Sequence, residues 1–199
     1  MRALVELKRI TLCRSLIVWL LIGWGGGKSL GDVVSMPRRL FGLGDVRSMA
    51  ASPDQQFMAT AGQGGAFLWD LQTGDLLHRL EVDWSVTSLA FSPDSGILLG
   101  ASAGTIRSWN VQSGEFIRDY PGSTGDIFSL QFSANGQTFV SVAGEGIARI
   151  WSVATGAQVH AMQMPGIAFF AAALSPNGQL LATLDPWPTN NVKIWDVAT

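Results

Sequence analysis

The chain is expected to be all-β, built from four repeated units of four antiparallel strands stacked radially about a common axis. Three observations predict this. A Trp-centred segment recurs four times, Ser-Pro-Asp-type turns recur in register with it, and no stretch sustains a helical apolar period. The segments are Ala66-Phe67-Leu68-Trp69-Asp70-Leu71-Gln72-Thr73-Gly74, Ile106-Arg107-Ser108-Trp109-Asn110-Val111-Gln112-Ser113-Gly114, Ala148-Arg149-Ile150-Trp151-Ser152-Val153-Ala154-Thr155-Gly156 and Lys193-Ile194-Trp195-Asp196-Val197-Ala198-Thr199. Their Trp residues are 40, 42 and 44 positions apart. Self-similarity at this period marks a repeat architecture.

Composition agrees. Of 199 residues 47% are hydrophobic and 14% charged, where an ordinary domain has about 25% charged. A chain this apolar buries sheets rather than staying solvated. The 23 Gly and 8 Pro fall mostly between short apolar runs, as many strands and tight turns require. Cys13, His78 and His160 are too few to hold a structural zinc, and one Cys forms no internal disulfide. From Asp32 onward there are 8 basic and 14 acidic residues, a formal charge of −6. That sign disfavours nucleic acid as a partner.

Residues 1–31 form a leader. Arg2, Lys8, Arg9 and Arg14 precede the apolar run Leu16-Ile17-Val18-Trp19-Leu20-Leu21-Ile22, and small residues follow it. A basic flank, a short apolar core and small residues describe a secretory signal. The run is shorter than the roughly 20 residues of a membrane span. The expectation is an exported or membrane-tethered protein, or a cytoplasmic one if translation starts at Met36. Gly23-Trp24-Gly25-Gly26-Gly27-Lys28-Ser29 lacks the spacing of a phosphate-binding loop, which needs a Gly where Ile22 stands.

The repeats then follow in order. Met36–Phe41 reads as a short outer strand. In the first unit, approximately 46–81, Val46–Ala50 is a strand, Ser52-Pro53-Asp54-Gln55 a turn and Phe57–Ala61 a second strand. Gly62-Gln63-Gly64-Gly65 turns into the Trp69 strand, and Thr73-Gly74-Asp75 turns into Leu76–Leu80. Pro presets the dihedral of a turn's second position and Asp bonds back to the backbone, so these turns have a mechanism. The second unit (86–120) repeats the order with Val86–Phe91, Ser92-Pro93-Asp94-Ser95-Gly96, Ile97–Ala101, the Trp109 strand and Glu115–Tyr120. The third (127–162) has Ile127–Phe132, Ser133-Ala134-Asn135-Gly136, Gln137–Val142, the Trp151 strand and Ala157–Met162. The fourth (168–199) has Ala168–Leu174, Ser175-Pro176-Asn177-Gly178, Gln179–Leu184 and the Trp195 strand. Single four-stranded sheets cannot cover both their own faces, but sheets stacked radially cover one another. A buried Trp in each third strand supplies about 150–250 Å² of packing surface, and its truncation to Ala costs about 3–5 kcal/mol.

These residues resemble the WD-repeat β-propeller family over Met36–Thr199. Trp69-Asp70 and Trp195-Asp196 keep the Trp-Asp dipeptide; Trp109-Asn110 and Trp151-Ser152 depart from it. The family often carries a Gly-His before each first strand and an Asp six residues before the Trp, joined to a Ser/Thr and the Trp in a hydrogen-bonded network. Here the Gly-His positions read Gly44-Asp45, Asp83-Trp84, Gly125-Asp126 and Pro165-Gly166, and the Asp position reads Gln63, Ala103, Glu145 and Thr189. The expectation is that no repeat makes the network and apolar packing replaces it. The resemblance implies a disc of about seven blades, whereas this sequence holds four. A fragment, self-association and a four-bladed ring are the alternatives, with pairing of Lys193–Thr199 and Met36–Phe41 as the closing contact.

No constellation for catalysis emerges, and neither a cofactor nor a metal is expected. His78 and His160 occupy equivalent outer-strand positions in separate units, Asp70 and Asp196 are turn-facing, and Asp54 and Asp94 belong to turns. Binding is different. In propellers of this kind the loops from outer to inner strand and from second to third strand gather on one face. Trp84 falls in a loop of the first kind and Trp187 in one of the second, where large aromatics serve as interface anchors. Asp45, Asp83, Asp126 and Asp185 lie nearby and lend that face an acidic cast. The reading is a non-enzymatic scaffold that docks a protein or peptide. Its alternatives are the sensing part of a larger multidomain enzyme and a structural envelope protein.

Overall fold

The computed structural model describes residues 45–82, 85–163, 171–184 and 192–197. The chain divides into two compact units, Met1–Arg38 and Arg39–Thr199; the leader and the strand expected at Met36–Phe41 lie outside the described residues. Fifteen strands are present among the latter, and they form four antiparallel sheets. The first sheet orders β1 (Val46–Ala51), β2 (Phe57–Gly62), β3 (Gly65–Asp70) and β4 (Leu76–Leu80). The second holds β5 (Ser88–Phe91), β6 (Ile97–Ser102), β7 (Thr105–Asn110) and β8 (Phe116–Pro121). The third holds β9 (Ile127–Phe132), β10 (Thr138–Ala143), β11 (Ile147–Ser152) and β12 (Gln158–Gln163), and β13 (Ala171–Leu174), β14 (Leu180–Leu184) and β15 (Val192–Asp196) make the fourth. Each sheet is a meander of sequence neighbours, and β1 meets β5, β5 meets β9, and β9 meets β13. These are the blades of a β-propeller. β5 is two residues shorter than expected; regular pairing begins at Ser88, and Thr87 doubles onto the Ala101 carbonyl, its amide donating there (2.8 Å). Its hydroxyl donates both to the carbonyl of Ala101 (3.0 Å) and, across the gap, to that of Ile127 (2.9 Å).

The Ser-Pro-Asp turns are built alike four times. Ser52, Ser92, Ser133 and Ser175 each donate their hydroxyl to the side-chain oxygen of Asp54, Asp94, Asn135 or Asn177. The same hydroxyls accept from the amides of Phe57 (2.9 Å), Ile97 (2.8 Å), Thr138 (3.1 Å) and Leu180 (2.9 Å), the residues that open or adjoin each second strand. The fourth turn position is left-handed throughout: Gln55 at φ 62°, Ser95 at 62°, Gly136 at 68° and Gly178 at 71°. The Ser52 bond holds the Asp54 carboxyl below its ordinary value, and the Ser92 bond does the same for Asp94. The Asp70 carboxylate accepts from the amides of Thr73 (2.7 Å) and Gln72 (2.8 Å), which depress its titration and confirm it as a turn residue.

The core lies between sheets, and Trp109, Trp151 and Trp195 each face the sheet before their own. Trp109 packs in one cluster with Ala59, Ala61, Ala66 and Leu68 of the first sheet. Trp151 packs with Leu99, Ala101, Ile106 and Tyr120 of the second, its ring edge-on to Tyr120 at 6.0 Å. Trp195 sits against Val140, Val142, Ala148 and Ile150 of the third. In the first and third sheets the second and third strands therefore bury both faces and read as continuous apolar runs, as β6 does in the second, whereas β14 and β15 alternate.

The expectation that the family's network is wholly absent needs correction. Its indole arm survives in three sheets: the Trp69, Trp151 and Trp195 indole N–H groups donate to Thr60 (2.8 Å), Ser141 (2.9 Å) and Thr183 (2.8 Å). The reason is register. Each hydroxyl stands two residues beyond the Trp's cross-strand partner, on the same face. In the second sheet that position is Gly100, and the buried Trp109 Nε1 has no partner. A Cβ on Gly100 would lie 2.8 Å from the Trp109 ring, so the glycine lets the ring rest on the backbone.

Candidate functional site

The turns between second and third strands and the connections from outer to inner strands do lie on one side of the described sheets. The Gly144 amide donates to the carbonyl of Asp126 (2.9 Å), and the Ser123 amide to that of Gly104 (3.3 Å). The opposite side carries the Ser-Pro-Asp turns, latched to the third-to-fourth turns through Leu71–Gln56, Val111–Gly96, Val153–Gln137 and Val197–Gln179 backbone bonds. Asp45 and Asp126 occupy equivalent positions ahead of β1 and β9 on the loop side, both exposed. Asp45 lies 3.6 Å from Arg47. Asp83, Trp84, Asp185 and Trp187 lie outside the described residues.

That face also carries cations that the pattern of acidic residues does not disclose. Arg107 and Arg149 stand two residues before Trp109 and Trp151, and Lys193 precedes Trp195 by the same step. A basic residue recurring at this step is the signal that finds them. In the third sheet Arg149 is 8% exposed; its guanidinium pairs with Glu145 and donates to the Ser123 hydroxyl (3.2 Å). Glu145 also accepts from the Thr124 hydroxyl and from its amide (2.9 Å). Burial alone would raise the Glu145 carboxyl; the Thr124 bonds and the Arg149 charge outweigh it and hold the group below its ordinary value. The connection from β8 to β9 is thereby stitched down over the junction of the second and third sheets.

The junction of the first and second sheets is open. Arg107 is bidentate on Asp119 (2.8 and 3.2 Å) and donates to the Glu81 carbonyl (3.1 Å). A cavity of about 770 Å³ lies between Gln63–Gly65 and the β4–β5 connection, with Arg79, Ser85 and Arg107 in its wall. That volume is within the usual range for ligand pockets. The Arg79 guanidinium sits 5.8 Å from the centre of the Phe67 ring. The Ser85 hydroxyl is buried and has no hydrogen-bond partner.

The histidines gather no chemistry. His78 is half-buried and its Nε2 meets the Gln112 carbonyl at 3.1 Å; His160 is exposed in β12. Among the described residues no three His, Cys, Asp or Glu side chains come together in a way that could hold a metal ion.

Comparison with known proteins places this architecture. The family model described as WD domain, G-beta repeat matches residues 38–70, 74–110 and 114–152, more than half of the chain. A guanine nucleotide-binding protein subunit beta from Arabidopsis thaliana is 32% identical over 65 residues, which is 33% of this chain. The aligned part spans 17% of that relative's length.

Proposed function

The chain belongs to the WD40-repeat family, whose domains serve as protein-interaction scaffolds and point away from catalysis, and from that premise we propose that it docks a protein or peptide partner on its loop face. The observation that carries this reading is the 770 Å³ cavity at the first junction. It opens on the side where the connections gather, beside the loop that holds Trp84. Asp45 and Asp126 border the same face, and Asp83, Trp84, Asp185 and Trp187 complete the proposed surface. The leader, residues 1–31, delivers the module to the membrane or beyond it, and Arg39–Thr199 is the docking part.

The test is capture of partners by the immobilised chain and by the double variant Trp84→Ala/Trp187→Ala, matched for circular dichroism and Tm. A partner set lost with the variant supports the reading; an unchanged set overturns it. N-terminal mass spectrometry of the protein from fractionated cells tests the leader. Protein found in the cytosol with Met1 or Met36 as its first residue overturns export.

A further inference from the structure

We propose that Asn177 is a site of spontaneous deamidation in the folded chain, and that Asn135, its equivalent in the third sheet, is guarded from the same reaction by its turn. The step needs no enzyme, oxidant or cofactor. The Gly178 amide nitrogen loses its proton and bonds to the Asn177 side-chain carbon Cγ, and ammonia leaves. Water then opens the cyclic imide at either carbonyl, giving aspartate or isoaspartate. A glycine in the following position favours the ring, because it has no side chain to hinder the approach and its backbone is free to turn. The chain carries that pair as Asn135-Gly136 and Asn177-Gly178, where the first two repeats have Asp54-Gln55 and Asp94-Ser95. Asn135 and Asn177 are both exposed, so water reaches each.

Both turns hold the reacting groups apart. The Gly136 amide donates to the Ser133 carbonyl (2.9 Å) and the Gly178 amide to the Ser175 carbonyl (2.8 Å). The Asn135 oxygen accepts from the Ser133 hydroxyl (2.8 Å) and the Gln137 amide (3.0 Å), and the Asn177 oxygen from Ser175 (2.6 Å) and Gln179 (3.2 Å). A turn must therefore open before its ring can close, and the rate follows the cost of local opening. That cost differs between the two. Ser133 is 2% exposed, and the Thr138 hydroxyl adds a bond to it (3.0 Å). Gly136 lies against the turn before it, where a Cβ would stand 3.5 Å from Pro93. Ser175 is half-buried, and Leu180 stands where Thr138 does and brings no hydroxyl. A Cβ on Gly178 would meet Ser133 at 4.0 Å. The sheet behind that turn is less covered as well, with Leu180, Leu184, Val192 and Ile194 between 41% and 65% exposed.

The first two repeats show what the products do. Asp54 and Asp94 make the same bonds to a Ser hydroxyl and to the amide two residues on, and the Ser bonds hold their carboxyls below the ordinary value. An aspartate at position 177 therefore keeps the turn. Isoaspartate lengthens the main chain by a methylene and displaces Gln179, whose carbonyl accepts from the Val197 amide (2.8 Å) just after β15. Isoaspartate is the product that loosens the fourth sheet.

The test holds the full chain folded at mildly alkaline pH for days, beside a sample in urea. Peptide mapping with fragmentation that separates aspartate from isoaspartate reads each site. Asn177 should convert several-fold faster than Asn135 in the folded chain, and the two rates should approach each other in urea. Asn110, followed by the β-branched Val111, should stay intact on that schedule. Thr138→Val strips the third turn of its added bond and should speed Asn135 several-fold. Asn177→Asp should melt with the wild type. Equal folded rates, a faster Asn135, an Asn177 that converts in urea but not in the folded chain, or a Thr138→Val variant with an unchanged Asn135 rate overturns the proposal. A clearly lower Tm for Asn177→Asp refutes the claim that the turn accepts the aspartate.

Discussion

The junction of the second and third sheets and that of the first and second are built from equivalent strands, yet one is sealed and the other is open. At the sealed one, Glu145 draws Arg149, Ser123 and Thr124 into a single network over the gap, and Trp151 is hydrogen-bonded to Ser141. At the open one, Arg107 turns outward to Asp119, Ala103 stands in the Glu145 position, and Trp109 has Gly100 where the hydroxyl should be. The lesson is that two propeller sheets pack without an indole hydrogen bond, joined at the first junction by apolar contacts and by bonds such as that from the Leu89 amide to the Ser48 hydroxyl (3.1 Å). Trp109 is 1% exposed without any hydrogen bond to its indole. The network of Glu145, Arg149, Ser123 and Thr124 is an addition at the second junction, and a cavity lies at the first.

The comparison breaks most sharply at Glu145. Glu145→Ala leaves the Arg149 side chain, 10% exposed, without its anion, and about 2–3 kcal/mol of stability should be lost in urea denaturation. Asp119→Ala, removing an ion partner that is 37% exposed, should cost less than about 1 kcal/mol. Similar losses for the two would mean the junctions are not different in kind. Next come the indoles. Trp151→Phe removes a ring atom hydrogen-bonded to Ser141 and should cost about 1 kcal/mol more than Trp109→Phe, whose nitrogen is unpartnered. Equal midpoints would refute the claim that the second sheet has lost this arm.

Acid should expose the same contrast. Glu145 titrates below its ordinary value of 4.5 in the folded protein, so it stabilises the fold above that pH, and the contribution is lost as pH falls through the lowered value. The Asp54 and Asp94 turns act with the same sign from an ordinary value of 3.8. Thermal melts of the wild type and Glu145→Gln should therefore converge on acidification and diverge toward neutral pH; a constant gap would contradict the assignment. The smallest effect concerns the turns. Gln55 holds a left-handed conformation that Gly136 and Gly178 hold in later repeats, and Gln55→Gly should gain about 0.5 kcal/mol, read as a higher Tm. A loss would show that the Gln55 side chain, not its backbone, secures the turn.

Much of this was legible beforehand because it depends on local chemistry repeated four times. Leu76–Leu80 and Ile127–Phe132 coincide with β4 and β9, since Thr73-Gly74-Asp75 turns into the first and Gly125-Asp126 and Ser133-Ala134-Asn135-Gly136 bound the second. The turn roles of Asp54, Asp70 and Asp94 were equally readable, because Asp bonds to amides two or three residues away. The surviving indole bonds were missed for a specific reason. The Gly-His and Asp positions do not disclose them, because Thr60, Ser141 and Thr183 lie 9, 10 and 12 residues before their Trp. Those unequal separations become one position only through strand register. The cations stand outside the acidic loop pattern, and only their fixed step, two residues before Trp109 and Trp151, signals Arg107 and Arg149 in the sequence.

By itself the sequence determined the repeat, the all-β class, the meander of strands within each sheet and the Trp at each junction. All of these follow from periodicity and from turns closed within a few residues. Only the tertiary structure decided which junction is sealed. That depends on whether Glu145 reaches Thr124, 21 residues away, and on Arg107 finding Asp119 instead of a loop carboxylate. Such choices are made between side chains brought together by packed sheets, where one position, Glu145 in the third sheet and Ala103 in the second, differs without changing the fold.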